Sequence, residues 1–223
     1  MTIRAKLYAA IALTILGPLV TTAVSLHAMG ELGDRFDEVR VHARQEALAL
    51  ELKFDVTDVN GWQTAYGYDH GRSRPQFERS VEAFRGDLRA AGRILRDPRE
   101  RQLLRDLRGD FADFMRLDVA AYRELRAGRE GRTREIFLGP EIDRFEAMAA
   151  TAQALAGYET RRASATERAF DDARDDARRR LIAVALGAAV VIVLLLVTAS
   201  DIARMALEGE RSSSRGPSTR PAD

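Results

Sequence analysis

The chain has 223 residues, a formal net charge of +1 and no cysteine. Near-neutral charge of mixed sign gives no basic field for nucleic acid, and the missing thiols exclude disulfides, thiolate metal sites and cysteine nucleophiles. Sparse Gly and Pro against abundant Ala, Leu, Arg and Glu make the composition helical.

Residues 1–6 carry Arg4 and Lys6 and read as a cytoplasmic N-terminus. From Leu7 to Met29 there is no Asp, Glu, Lys or Arg. That run is long enough to cross a hydrocarbon core of roughly 30 Å, so residues 7–29 are expected to be a first transmembrane helix. The rival reading is a cleaved signal peptide led by Arg4 and Lys6. The apolar run is longer than the roughly 7–15 residues of such a peptide, and Thr21/Ala23 is a poor cleavage signal.

Residues 30–180 show heptad-like spacing instead of strand alternation. Leu32, Phe36, Val39, Ala43, Ala47, Leu50 and Phe54 step by threes and fours, and a second stripe holds Leu48, Leu52, Val56 and Val59. The stretch from His70 to Pro75 ends this helix, and Pro75 suits the first turn of the next. That second helix presents Phe77, Val81, Phe84, Leu88, Ala91 and Leu95. Asp97-Pro98 divides it from a third, with Asp97 as N-cap. The third carries Leu104, Leu107, Phe111, Phe114, Ala121 and Leu125, and Gly128 to Gly131 closes it. The fourth carries Leu138, Ile142, Phe145, Ala149 and Ala152, with a bend expected at Gly139-Pro140. Four amphipathic segments with short connections predict an all-α fold, an up-down antiparallel four-helix bundle flanked by two transmembrane helices.

Residues 181–200 are uncharged and form the second expected crossing. Residues 201–223 then read as a short cytoplasmic tail: a helical stub from Asp201 to Leu207, and a disordered stretch from Ser212 onward. Arg178, Arg179 and Arg180 would lie on the outer side, which a long translocated loop tolerates.

The segment Asp58-Val59-Asn60-Gly61-Trp62-Gln63-Thr64-Ala65-Tyr66-Gly67-Tyr68-Asp69 resembles the distal first-helix segment of bacterial methyl-accepting chemotaxis proteins whose four-helix periplasmic domain carries a Gly-Trp-Gln-Thr-Ala-Tyr signature. Leu138-Gly139-Pro140-Glu141-Ile142-Asp143-Arg144-Phe145 is similar to the start of the fourth helix of those domains. With the flanking apolar segments, the resemblance spans residues 1 to about 200. It implies a two-pass protein of the bacterial inner membrane, both termini cytoplasmic, sensing an extracytoplasmic small molecule. It also implies a homodimer, or a heterodimer with a full-length chemoreceptor. The family continues into a HAMP linker and a methylated cytoplasmic hairpin, whereas this sequence ends at Asp223. A sensor module without its own output, from a truncated, frameshifted or stand-alone gene, is the expectation. The alternative is a structural or regulatory membrane protein that binds another protein through its bundle.

Candidate ligand-binding residues are Trp62, Gln63, Tyr66, Tyr68, Asp69, Arg72 and Arg74. Trp62, Tyr66 and Tyr68 offer flat apolar faces with polar edges, and Gln63, Thr64 and Asp69 offer hydrogen bonds. Arg72 and Arg74 suit a carboxylate held bidentately, or are merely solvated loop arginines. Equally, Trp62 and Tyr66 stand one helical turn apart, as core aromatics do. His70 beside Asp69 supplies too few donors for a metal, so no metal or cofactor is expected. No phosphate loop, nucleophile elbow or His–acid motif occurs, and no enzyme is expected.

Overall fold

A computed structural model describes residues 3–213, with side chains for Tyr8, residues 11–200 and Arg204. Its elements in order are α1 (Ile3–Tyr68), α2 (Arg74–Ile94), α3 (Pro98–Arg126), α4 (Glu130–Ile136), a π-helical turn (Phe137–Glu141) and α5 (Ile142–Ser213). The fold is all-α among the described residues. Ser212 and Ser213, expected in the disordered tail, belong to α5, and the remainder of that tail lies outside the described residues. The chain divides into two compact units, residues 1–34 with 171–223, and residues 35–170.

In the first unit, α1 and α5 each contribute a stretch long and apolar enough to cross a membrane. Its large apolar side chains are turned outward: Ile15, Leu19 and Leu26 on α1, and Leu186, Val193 and Leu196 on α5, are all exposed. Hydroxyls in these apolar stretches bond back to their own helix. The Thr21 hydroxyl donates to the Gly17 carbonyl at 2.9 Å, and Ser200 donates to the Leu196 carbonyl at 2.9 Å. This back-bonding satisfies the hydroxyls within their own helix.

The second unit is built on a shared core. α1 contributes Leu52, Val56 and Val59, α2 contributes Phe77, Val81, Phe84 and Leu88, α3 contributes Leu104, Leu107, Phe111 and Phe114, and α5 contributes Met148, Ala152 and Leu155. Burying each such large side chain contributes roughly 1.5–3 kcal/mol. Phe84 and Phe111 meet edge-to-face with centroids 4.8 Å apart. Of the two apolar stripes on α1, the core takes the second. Phe36, Leu50 and Phe54 of the first remain exposed.

The helix ends follow local chemistry. Asp97 opens α3 with a capping box: its carboxylate accepts from the Arg99 N–H at 2.8 Å, and Glu100 accepts from the Asp97 N–H at 2.9 Å. Pro75 stands in the first turn of α2. At Gly139 the backbone leaves helical values (φ −117°, ψ −110°), inside the π-helical turn that also holds Pro140.

Candidate functional site

The end of α1 organises one end of the second unit. The Gly71 N–H donates to the Tyr66 carbonyl at 2.8 Å, and His70 takes the left-handed conformation (φ +57°) that this closure requires. Asp69 holds the turn: its carboxylate accepts from the Ser73 hydroxyl at 2.5 Å and the Ser73 N–H at 3.1 Å. The Ser73 hydroxyl holds the Asp69 carboxyl below the usual carboxylate range. Arg72 lies outward, its Nε donating to the Asp69 carbonyl at 3.2 Å.

Arg74 turns inward. Its guanidinium donates to the fully buried carboxylate of Asp118 at 2.9 Å, and its Nε pairs with Glu78 at 3.3 Å. It stacks over the rings of Phe77 and Tyr122, each 4.5 Å from the centroid, and over Tyr66 at 4.9 Å. The Tyr66 hydroxyl donates to the same Asp118 oxygen. Burial pushes the Tyr66 phenol up, and the Asp118 charge adds to it. Burial also raises Asp118, against Tyr66 and Arg74, which both favour its ionised form.

Beside this knot lies a cavity of about 330 Å³ between α1, the end of α3, α4, the π-helical turn and the start of α5. Gln63, Thr64, Tyr68 and His70 line it from α1, and Phe137, Leu138, Ile142 and Phe145 supply apolar wall. Gly67 permits this arrangement: a Cβ there would stand 2.5 Å from the Phe137 ring. At the cavity wall Glu141 is almost wholly buried, with a relative exposure of 1%. Gln63 donates its amide N–H to Glu141 Oε1, while Glu141 Oε2 is buried with no hydrogen-bond partner. Burial pushes the Glu141 carboxyl up to about 8; the Asp118 charge adds to this and the Arg74 charge opposes it. The rim carries His70, 3.7 Å from Glu130, and Arg134.

Acids also cluster elsewhere in this unit, Asp55 buried, Asp87 half-buried and Glu51 exposed. Glu51, Asp55 and Asp87 bring one carboxylate oxygen each within 4.8 Å of one another, an oxygen set of the kind that hard cations use. Burial raises the Asp55 carboxyl, helped by its hydrogen bond to Asp87. Glu159 is raised likewise by burial and by Glu100, whose own carboxylate accepts from Arg162.

The candidate residues thus divide. Gln63 and Tyr68 line the cavity, and Tyr66 and Arg74 form the polar knot beside it. Asp69 and Arg72 belong to the turn. Trp62 is 37% exposed and stands apart from the cavity wall. Sequence reasoning passed over Asp118 and Glu141 as site residues. Their signal was an acid on an apolar face: Asp118 lies four residues after Phe114 and three before Ala121. Compared with known proteins, the chain matches no family model, no curated sequence and no solved structure.

Proposed function

We propose that this is a two-pass membrane protein whose residues 30–180 form an up-down antiparallel four-helix bundle outside the cytoplasm. In this reading the bundle is the sensor module of a bacterial chemoreceptor-like protein and binds a small molecule in the cavity beside Glu141. The observation that carries the reading is a cavity of about 330 Å³ with a buried, half-satisfied carboxyl in its wall. A buried polar group without a partner costs roughly 1–3 kcal/mol, and a ligand that supplies the partner recovers it. The outward-facing apolar stretches of α1 and α5 support the membrane anchoring, because such surfaces are rare on soluble monomers. The test is a thermal-shift panel of amino acids, organic acids, amines and aromatic metabolites on the full chain in nanodiscs. A saturating ligand at 100 times its dissociation constant adds about 2.7 kcal/mol of stability. That gain should vanish in Thr64→Trp, which fills the cavity from α1. A panel without thermal shifts, or shifts equal in both proteins, rejects the ligand site.

The exposed stripe on α1 favours pairing with a second copy. Phe36, Ala43, Leu50 and, offset by four, Ala47 and Phe54 repeat at heptad spacing on one open face. The chain contains no cysteine, so Leu50→Cys is a clean reporter. Rapid oxidative cross-linking at Leu50→Cys, and none at Glu78→Cys on α2, is the expected pattern. A partner of another kind predicts binding through this face without a cross-linked dimer.

A further inference from the structure

We propose that Glu100 and Glu159 form a proton-operated clasp between the start of α3 and the face of α5 that packs on it, which holds in acid and loosens as pH rises. The clasp is separate from the cavity and stands whether or not the cavity takes a ligand. Both acids sit where the helical pattern calls for an apolar side chain. On α3 the buried run Leu107, Leu104 and Leu103 ends at Glu100, and on α5 the buried run Ala152, Leu155 and Ala156 ends at Glu159. Each acid has a relative exposure of 0%, so water compensates neither charge. Glu100 is provided for as a carboxylate. Its Oε2 accepts from the Asp97 N–H at 2.9 Å, its Oε1 accepts from Arg162, and it stands in the first turn of α3, where the helix dipole favours a negative charge. Glu159 is not provided for, because neither of its oxygens receives a hydrogen bond. Its carboxyl instead meets that of Glu100. Two carboxyls bond to each other only while a proton lies between them, since a carboxylate accepts and does not donate. Glu159, which no donor serves, is the acid that keeps the proton.

The charges that act on Glu159 come from α3 and α5. Glu100 and Asp97 oppose its ionisation, and Arg162 favours it. Arg162 is engaged by Glu100, and Asp97 by the Arg99 N–H and, at 3.2 Å, by the Tyr158 hydroxyl. Burial first, then the Glu100 charge, push the Glu159 carboxyl up to about 7. Opening the clasp returns Glu159 to water, where a glutamate ionises at roughly pH 4.3. The closed form therefore holds a proton that the open form releases. The stabilisation is complete below the value in water and is lost as pH rises through the value in the clasp. The loosened segment belongs to α5, which runs without a break from Ile142 to Ser213.

The experiment is hydrogen–deuterium exchange of the full chain in nanodiscs, read by mass spectrometry across this pH range and corrected for the pH dependence of free amides. Protection of residues 98–104 and 152–162 should fall about tenfold per pH unit from roughly pH 5 to 7 and level off above. Glu159→Gln keeps a donor beside Glu100 at every pH, so its slope should be shallower by that same factor. Glu146→Gln, which changes an exposed acid on the same helix, should leave the slope as it is. Arg162→Gln removes the cation that favours the ionised form, so the levelling-off should move up by about one pH unit. A merely structural arginine would lower protection at every pH without moving that point. Protection that stays flat from roughly pH 5 to 7 in the unmodified protein overturns the clasp, whatever the variants do. A slope unchanged in Glu159→Gln overturns it as well, and so does a levelling-off in Arg162→Gln that stays in place or moves down.

Discussion

Asp118 occupies a position on α3 where the repeat of Leu107, Phe111, Phe114 and Ala121 would place an apolar side chain. It is tolerated because Arg74 and Tyr66 both bond to its Oδ1. Removing the two partners should therefore cost different amounts. Asp118→Ala leaves the Arg74 guanidinium, its side chain only 13% exposed, with the exposed Glu78 as its remaining ion-pair partner, and breaking such a buried pair costs roughly 3–5 kcal/mol. Tyr66→Phe deletes one hydroxyl and leaves the ion pair whole, which costs about 1.5–3 kcal/mol for a bond to a charged acceptor. Urea unfolding of the full chain in detergent, followed by Trp62 fluorescence, checks the order. Equal losses in the two variants would show that Arg74 finds another partner when Asp118 is gone. The acid itself was visible in the sequence as a charge on an apolar face. Its partners were not, because Tyr66 and Arg74 lie 52 and 44 residues away and come together only through packing.

At the scale of elements, α1 and α3 end in the same way with different residues. Each closes with an N–H bonded five residues back, Gly71 to Tyr66 at 2.8 Å and Arg129 to Glu124 at 3.0 Å. The left-handed residue is Gly128 after α3 (φ +72°) but His70 after α1 (φ +57°). A side chain in that conformation costs roughly 1–2 kcal/mol. His70→Gly should accordingly raise the melting temperature, and Gly128→Ala should lower it, in differential scanning calorimetry of the full chain. The left-handed histidine stands at the cavity rim beside Glu130. A lower melting temperature for His70→Gly would instead mean that its contact with Glu130 outweighs the strain. The element boundaries were legible because each break is local chemistry: Pro75, the Asp97 cap, Gly128 and the Gly139-Pro140 pair act within a few residues. The choice between the two stripes of α1 was not legible. Phe54 and Val56 are both apolar, and only the neighbouring helices decide that Val56 is covered. The cavity was half legible. Gln63 and Tyr68 come from the segment singled out in the sequence, while its opposite wall depends on how α4 and the π-helical turn fold back.

Across the whole molecule, ionisable groups of two kinds oppose each other. Asp69, Asp97 and Glu124 are half-buried and sit below the usual carboxylate range, held by the Ser73 hydroxyl, the Arg99 N–H and Arg129 respectively. Their stabilisation is present above the unfolded value of roughly 4 and is lost as pH falls through their folded values. Asp55, Glu141 and Glu159 are raised, each chiefly by burial. The folded state binds their protons more tightly than the unfolded chain does. Their contribution is complete below roughly pH 4 and is lost as pH rises through the folded values, for Glu141 about 8. The sum places maximum stability near pH 5, on the acid side of neutrality, with a decline toward pH 8.5. Glu141 alone accounts for a loss on the order of a few kcal/mol, since holding a proton ten times more tightly is worth about 1.4 kcal/mol. Glu141→Gln removes that contribution, so its melting temperature should fall less steeply than that of the unmodified protein between pH 5 and 8.5. Parallel curves for the two proteins would mean that Glu141 ionises at its ordinary pH and that its buried oxygen is reached by water.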